Sequence, residues 1–286
     1  MPALALAAVL LAALTHATWN LAAKRAAGAR HFVWMYSLLS VLLYLPIVAW
    51  IVYTTQPQFT TLHWAALTAT GLLHMAYSLI LQAGYRASDL SLVYPLARGS
   101  GPLLSFFLAV LLLGEGFNWM SLTGVALVVG GIVLVSGMFN AHHRAPRIGV
   151  AYGLATGLFI AAYTVNDGWA VKVLLISPFI VDYSGNLLRV VFLAPRALHD
   201  RGALVDEWRR YARPVAIVSV LGPLGYILVL YAMQLAPVSH VAPARELSTL
   251  VGTWFGARLL RERAAPSRLA GAACIVAGVV SLALAG

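Results

Sequence analysis

The longest uncharged stretch of this chain limits the folds that it can adopt. Residues 31–85 contain no Asp, Glu, Lys or Arg. A soluble domain carries about 25% charged residues, so a stretch of this length cannot cover a surface that faces water. It is long enough for two membrane-spanning helices of about 20 residues each, and the polar segment 54–58 divides it. The stretch therefore predicts helices embedded in a membrane.

The rest of the chain follows the same pattern. Of 286 residues, 61% are hydrophobic and 10% are charged, and no segment is long or polar enough for a soluble domain. The first apolar segment has no basic region before it, so we expect a retained helix rather than a cleaved signal peptide. We predict ten spans near residues 2–23, 32–53, 62–83, 90–113, 119–139, 148–171, 176–196, 213–235, 239–260 and 267–286.

An internal repeat organises these spans. The spacing from Arg98 to Glu115 equals the spacing from Arg245 to Glu262, and a proline precedes each arginine. In the same register Gly124 matches Gly271 and Gly131 matches Gly278. With two one-residue shifts, Tyr77 matches Tyr226, and more weakly Trp19-Asn20 matches Tyr163-Thr164. A fixed spacing shared by several residue types indicates a duplicated unit.

The duplication predicts an all-α integral membrane protein of two inverted five-helix repeats, at residues 1–140 and 148–286. Five is an odd number, so the second unit enters the membrane from the opposite side, as in many transporters. Most of the 19 lysines and arginines lie in every second connection, from the first to the ninth. Since basic loops face the cytoplasm, both termini should lie outside. Basic residues in such short loops indicate orientation signals and not a nucleic-acid surface.

The repeated pattern resembles the drug/metabolite transporter superfamily, in particular its EamA-like branch. The residues that carry the resemblance are Pro95, Pro102, Leu113-Gly114-Glu115 and the glycine-rich span through Gly137, with counterparts from Val241 to Gly286. The resemblance covers essentially the whole chain. It implies a carrier that exports or exchanges amino acids, drugs, nucleotide sugars or other metabolites.

Two positions depart from the pattern of that superfamily. The connection at residues 54–62 is uncharged, whereas members usually carry a basic loop there and have cytoplasmic termini. Either the chain is inverted relative to those members, or the span count is shifted by one. The second repeat also has Leu260-Arg261-Glu262 in place of Leu-Gly-Glu.

Arg98 and Arg245 are the principal candidates for substrate binding. An arginine at the bilayer centre costs at least about 2.5–3.5 kcal/mol and should face a cavity or a partner. We expect Pro95 and Pro243 to break their helices beside such a site. Two guanidinium groups suit a carboxylate or a phosphate. The structural alternative pairs Arg245 with Asp167, or Arg98 with Glu246.

Further polar side chains within the spans predict the lining of one cavity. Asp167 and Glu246 are candidates for proton coupling or for static ion pairs, with His16 as a third titratable group. The other candidates for substrate contact are aromatic or amide side chains, which could instead join helices by hydrogen bonds; they are Trp19, Asn20, Tyr77, Tyr163 and Tyr226. Arg189 and Asn186, about one turn apart, suggest a structural pair or a snorkelling arginine.

These observations predict a secondary transporter in the inner cell membrane. It would move small organic metabolites or drug-like compounds by alternating access, as an exporter or exchanger, with anionic or zwitterionic substrates favoured. The alternative is a membrane-embedded sensor or scaffold that binds a ligand without moving it. No enzyme motif, ATP-binding loop, metal-ligand set or cofactor motif is recognised, and the lone Cys274 supports no disulfide. The expected partners are a small-molecule substrate and the lipid bilayer, with protons as a candidate coupling ion.

Overall fold

The computed structural model describes residues 1–26, 29–88, 90–136, 147–251 and 266–285. These residues form a helical bundle whose helices we number α1 to α10. The bounds are α1 Ala3–Lys24, α2 Phe32–Thr55, α3 Thr61–Ala87, α4 Leu90–Leu113, α5 Trp119–Ser136, α6 Arg147–Lys172, α7 Pro178–His199, α8 Arg201–Leu235, α9 Val238–Ala244 and α10 Pro266–Leu284.

The helices agree with the predicted membrane architecture. In the described part of the chain, α1, α2, α3, α4, α6 and α8 are long and apolar enough to cross a membrane, and α5 and α10 are shorter apolar helices.

One connection differs from the prediction. Residues 196–213, expected as the longest loop, are almost entirely helical, because α8 begins at Arg201 and bends at Tyr211. Asp200 begins this helix by accepting a hydrogen bond from the Ala203 backbone N–H.

The two five-helix units are inverted relative to each other, and the contact between α5 and α10 shows why they fit. A Cβ atom added to Gly131 would lie 2.6 Å from the carbonyl oxygen of Gly271. One added to Gly124 would lie 2.9 Å from the carbonyl oxygen of Gly278. The two backbones therefore touch at small residues. Residue numbers therefore rise along α5 where they fall along α10, so the two equivalent helices run antiparallel.

Inversion also relates the contacts that surround the centre of the bundle. α1 of the first unit packs against α8 of the second, and their respective equivalents, α6 and α3, also pack against each other. The α4–α6 contact is close, because a Cβ atom on Gly153 would lie 2.7 Å from Leu96 Cβ. The main apolar core combines residues of both units, including Val9, Phe106, Val171, Leu230 and Ile275.

The two prolines that were expected to break helices behave differently. α9 ends at Ala244, one residue after Pro243, and a turn at Arg245 and Glu246 separates it from further helical residues at 247–251. α4 is continuous from Leu90 to Leu113, so the predicted break at Pro95 is wrong for the helix as a whole. Pro95 is the sixth residue of α4, so it removes one hydrogen bond within the helix, and the helix continues through it. Glu262 lies outside the described residues.

Candidate functional site

A cavity of about 300 Å³ lies among helices α1 to α4, α6 to α8 and the residues after α9. It reaches toward the end of the bundle where Tyr85 and Tyr94 flank the α3–α4 connection. Eight of the predicted site residues line it, namely His16, Trp19, Asn20, Tyr77, Arg98, Tyr163, Tyr226 and Arg245. Asp167 and Glu246 lie behind the lining residues, because Asp167 contacts His74 and Tyr226 and Glu246 contacts the two arginines. Pro95 and Pro243 are not among the lining residues.

Two guanidinium groups share one carboxylate at the wall of this cavity. Glu246 is 1% exposed, and its oxygens lie 3.3 Å from Arg98 Nε and 3.7 Å from Arg245 Nε. Neither contact is aligned as a hydrogen bond, and in the described residues Arg98 Nε and Arg245 Nε and Nη2 have no hydrogen-bond partner. Arg245 also lies over the Tyr163 ring, 5.7 Å from its centroid. Buried N–H groups without acceptors are costly, so these two side chains retain unused hydrogen-bonding capacity beside the cavity.

The anticipated contact between Arg98 and Glu246 therefore exists, but its alternative does not. No ion pair joins Arg245 to Asp167 in the part of the chain that the structure describes. Asp167 is instead fully buried between α6 and α3. Its Oδ1 accepts hydrogen bonds from Thr70 Oγ1 at 2.5 Å and from Asn166 Nδ2 at 3.1 Å.

The second carboxylate oxygen of Asp167 joins a different set of groups. Oδ2 lies 3.0 Å from His74 Nε2 and accepts a hydrogen bond from the hydroxyl of Tyr226. His74 stacks on Tyr163 with ring centroids 4.0 Å apart, so the aromatic lining is tied to the buried acid. Four donors leave Asp167 little capacity for another ligand, which favours a structural role for this carboxylate.

α7 contributes a polar face that the sequence interpretation treated only in part. Asp182, Asn186 and Arg189 line the cavity, and their spacing places them on one side of the helix. Asn186 Nδ2 donates to Asp182 Oδ2 at 2.9 Å, and Arg189 Nη1 donates to Asn186 Oδ1 at 3.2 Å. Arg189 Nη2 also lies 3.4 Å from His74 Nδ1.

Asp182 was not among the predicted site residues, although a signal for it was present. Acid, amide and guanidinium groups at positions i, i+4 and i+7 of an otherwise apolar helix indicate a face turned away from lipid. The pairing of Arg189 with Asn186 was anticipated, and the carboxylate one turn earlier extends it. His74 was also not among the predicted site residues, yet it contacts both Asp167 and Arg189.

At the opposite end of the bundle, Glu115 connects the two units. Its carboxylate accepts hydrogen bonds from the backbone N–H groups of Val238 and Ser239 at 2.7 and 2.8 Å. Lys172 Nζ lies 3.0 Å from Glu115 Oε1. Burial raises the pKa of Glu115, but the N–H groups of Ser239 and Val238 and the Lys172 ammonium together hold that pKa below its usual value. This acid therefore stays ionised and fixes the start of α9.

Comparison with known proteins places this geometry in a family. Residues 3–137 and 147–284 each match the EamA-like transporter family. A crystal structure of a protein with 17% sequence identity matches with a TM-score of 0.71, over 99% of this chain and 98% of that chain, which shows a shared fold. No curated protein matches the chain. Because the two matched segments take in nearly every residue, the protein belongs to the EamA-like transporter family and is a multi-pass membrane transporter of the drug/metabolite type.

Proposed function

We propose that this protein is a secondary transporter that moves small organic anions or zwitterions by alternating access, as an exporter or exchanger in the inner cell membrane. The observation that carries the proposal is the sharing of Glu246 by Arg98 and Arg245. This cluster, taken by itself, has one more positive charge than negative charge. A substrate carboxylate or phosphate would balance that charge and accept hydrogen bonds from the unpaired N–H groups.

The aromatic side chains suit the rest of such a substrate. His16 and Trp19 lie on α1 with ring centroids 5.7 Å apart, and Tyr77 meets Tyr163 edge to face at 5.7 Å. These rings offer an apolar surface beside the charged wall. We therefore expect compounds that combine an anionic group with an apolar or aromatic body.

The position of the cavity supports one state of an alternating-access cycle. The cavity reaches toward the end of the bundle that carries Lys24, Arg86, Arg147 and Arg201, while Glu115 and Lys172 join the units at the other end. If the basic end faces the cytoplasm, this conformation faces inward. Movement of one unit against the other would open the Glu115 end.

A ligand screen with matched variants tests the proposal. Purified protein is heated with amino acids, organic acids, phosphonates and lipophilic cations, and the compounds that stabilise it are then assayed for transport in proteoliposomes. We expect stabilisation by anionic compounds, and we expect Arg98→Ala and Arg245→Ala to lose at least about tenfold in affinity, equal to about 1.4 kcal/mol. Arg98→Lys should recover only part of the loss, because an ammonium cannot bind two oxygens side by side.

Arg86→Ala is the control, because it also removes one positive charge but from an exposed position outside the cavity lining. It should bind and transport like the unaltered protein. Stabilisation by lipophilic cations alone, or full transport by Arg98→Ala, would contradict the proposal.

A further inference from the structure

Three carboxylates surround the cavity, and they differ in how firmly they are held. Asp167 is fully buried and has four hydrogen-bond donors, and Glu246 lies between two guanidinium groups. Asp182 is only partly buried, lines the cavity and has the amide of Asn186 as its side-chain donor. Within the described residues it has no ion-pair partner inside 4.0 Å. It is therefore the one of these three acids that can take up a proton from the cavity without losing an ion pair or several side-chain donors.

The groups that face Asp182 come from each helix packed against α7. Arg189 lies on α7 itself and acts electrostatically on Asp182, and so does Asp167 from α6. Tyr44 approaches from α2, and its hydroxyl donates to the Val220 carbonyl oxygen of α8 at 2.8 Å. His74 of α3 reaches the same region through Arg189. The surroundings thus hold one cation and one competing acid close by.

The charges in the wall balance only while Asp182 is ionised. The cations are Arg98, Arg189 and Arg245, and the opposing acids are Asp167, Glu246 and Asp182. Protonation of Asp182 removes one negative charge and leaves Arg189 without compensation on the face of α7 that lines the cavity. Arg189 Nε already has no hydrogen-bond partner among the described residues. An anion would then be attracted by the charge that the proton has released.

We propose that Asp182 is the proton-binding residue of the carrier and that its protonation releases Arg189 to attract the anionic part of the substrate. This inference rests on the proposed function, which it deepens by naming the coupling ion and the residue that binds it. Proton and anion would then bind with positive cooperativity, because each reduces the unbalanced charge that the other creates. A carrier with this linkage moves both in the same direction, so export requires that the anion's own gradient drive both.

Infrared difference spectroscopy on ligand-free protein tests the proton site. Spectra recorded over a series of pH values should show the band of one protonated carboxyl group that disappears as the pH rises. Asp182→Asn should lose that band, whereas Asp167→Asn and Glu246→Gln should keep it. Size-exclusion profiles and circular dichroism establish that each variant is folded. A missing band in the unaltered protein, its persistence in Asp182→Asn, or its loss in Asp167→Asn overturns the assignment.

Thermal stabilisation by benzoate, measured at each pH, tests the linkage. For one linked proton, the affinity of the unaltered protein should fall by up to about tenfold per pH unit as the carboxyl band disappears. In Asp182→Asn the affinity should not depend on pH across that range. Equal pH dependence in both proteins overturns the linkage.

The two proposals can fail separately. If neither benzoate nor inorganic phosphate stabilises the unaltered protein at any pH, the anionic-substrate proposal fails, and so does the cooperativity that rests on it. The infrared result still decides whether Asp182 binds the proton. If the anions bind but the carboxyl band does not follow Asp182, only the coupling proposal fails.

Discussion

The α3–α6 contact and the α1–α8 contact both join one unit to the other and are related by the internal repeat, but they are built from different side chains. Between α3 and α6, Thr70 and His74 bind the buried carboxylate of Asp167. In the repeat register that pairs Tyr77 with Tyr226, Ser219 takes the place of Thr70. In the weaker register of the first spans, Ala23 takes the place of Asp167. The two contacts therefore share the same helix packing, but the buried acid and its hydrogen-bond donors are found only in the α3–α6 contact.

The difference bears on which contact can change during transport. Hydrogen bonds to a charged group in a low-dielectric interior are strong, and separating them leaves a buried charge unpaired. The α1–α8 contact instead depends on close approach, since a Cβ atom on Gly225 would lie 2.7 Å from Thr15 Oγ1 and 2.8 Å from His16 Nδ1. We expect α3 and α6 to move together and the α1–α8 contact to slide.

The largest effect should come from removing the acid. Asp167→Ala leaves the donors of Thr70, His74 and Tyr226 without their shared acceptor, so the free energy of unfolding should fall by about 3–5 kcal/mol. The matched change in the α1–α8 contact is Ala23→Ser, at the position equivalent to Asp167, and it should cost less than about 1 kcal/mol. Denaturant unfolding in a fixed detergent measures both. Equal losses would show that the polar contact contributes no special stability.

Several parts of this contrast were accessible from the sequence. The repeat register predicted the inverted units and singled out the glycines that meet between α5 and α10. It could not predict that Gly124 meets Gly278 and that Gly131 meets Gly271, because a register states equivalence and not contact. The uncharged stretches predicted membrane helices because they lack charged side chains. For the same reason they contribute few charged residues to the site.

The partners of the charged residues were harder to predict. Asp167 was identified as a buried acid, but its neighbour His74 is 93 positions away in sequence, and nothing local connects the two. Arg245 appeared an equally good partner until the turn after α9 placed it beside Glu246. Asp182 was missed because it lies near the start of its helix, where an acid also suits a membrane boundary. Side-chain spacing predicts which residues share a face, but the packing of helices decides what that face meets.

A smaller effect should follow from overfilling the α1–α8 contact. Gly225→Ala introduces a methyl group closer than 3.0 Å to Thr15 Oγ1 and His16 Nδ1, so these side chains or α1 itself must shift. Overpacking of this kind costs about 1–3 kcal/mol. The control is Gly222→Ala, whose nearest contact is 3.8 Å from Val218 Cγ1 and which should be neutral or stabilising by up to about 1 kcal/mol. Thermal unfolding of the two variants compares them, and a loss in Gly222→Ala as large as in Gly225→Ala would contradict the close-approach account.

The smallest effect should distinguish the two hydroxyl groups that occupy equivalent positions. Thr70→Val removes a donor to Asp167 and an acceptor of the Asn166 amide, so it should cost about 1–2 kcal/mol. Ser219 Oγ instead donates to the carbonyl oxygen of Val215 in its own helix, at 2.7 Å, or to that of Tyr36 at 3.0 Å. Ser219→Ala should therefore cost only about 0.5–1 kcal/mol, because a neutral carbonyl loses one of its donors and no charge is exposed.

Combining each change with Asp167→Ala sharpens the test. The effect of Thr70→Val should shrink in that background while the effect of Ser219→Ala stays the same, and additivity in both cycles would contradict the asymmetry.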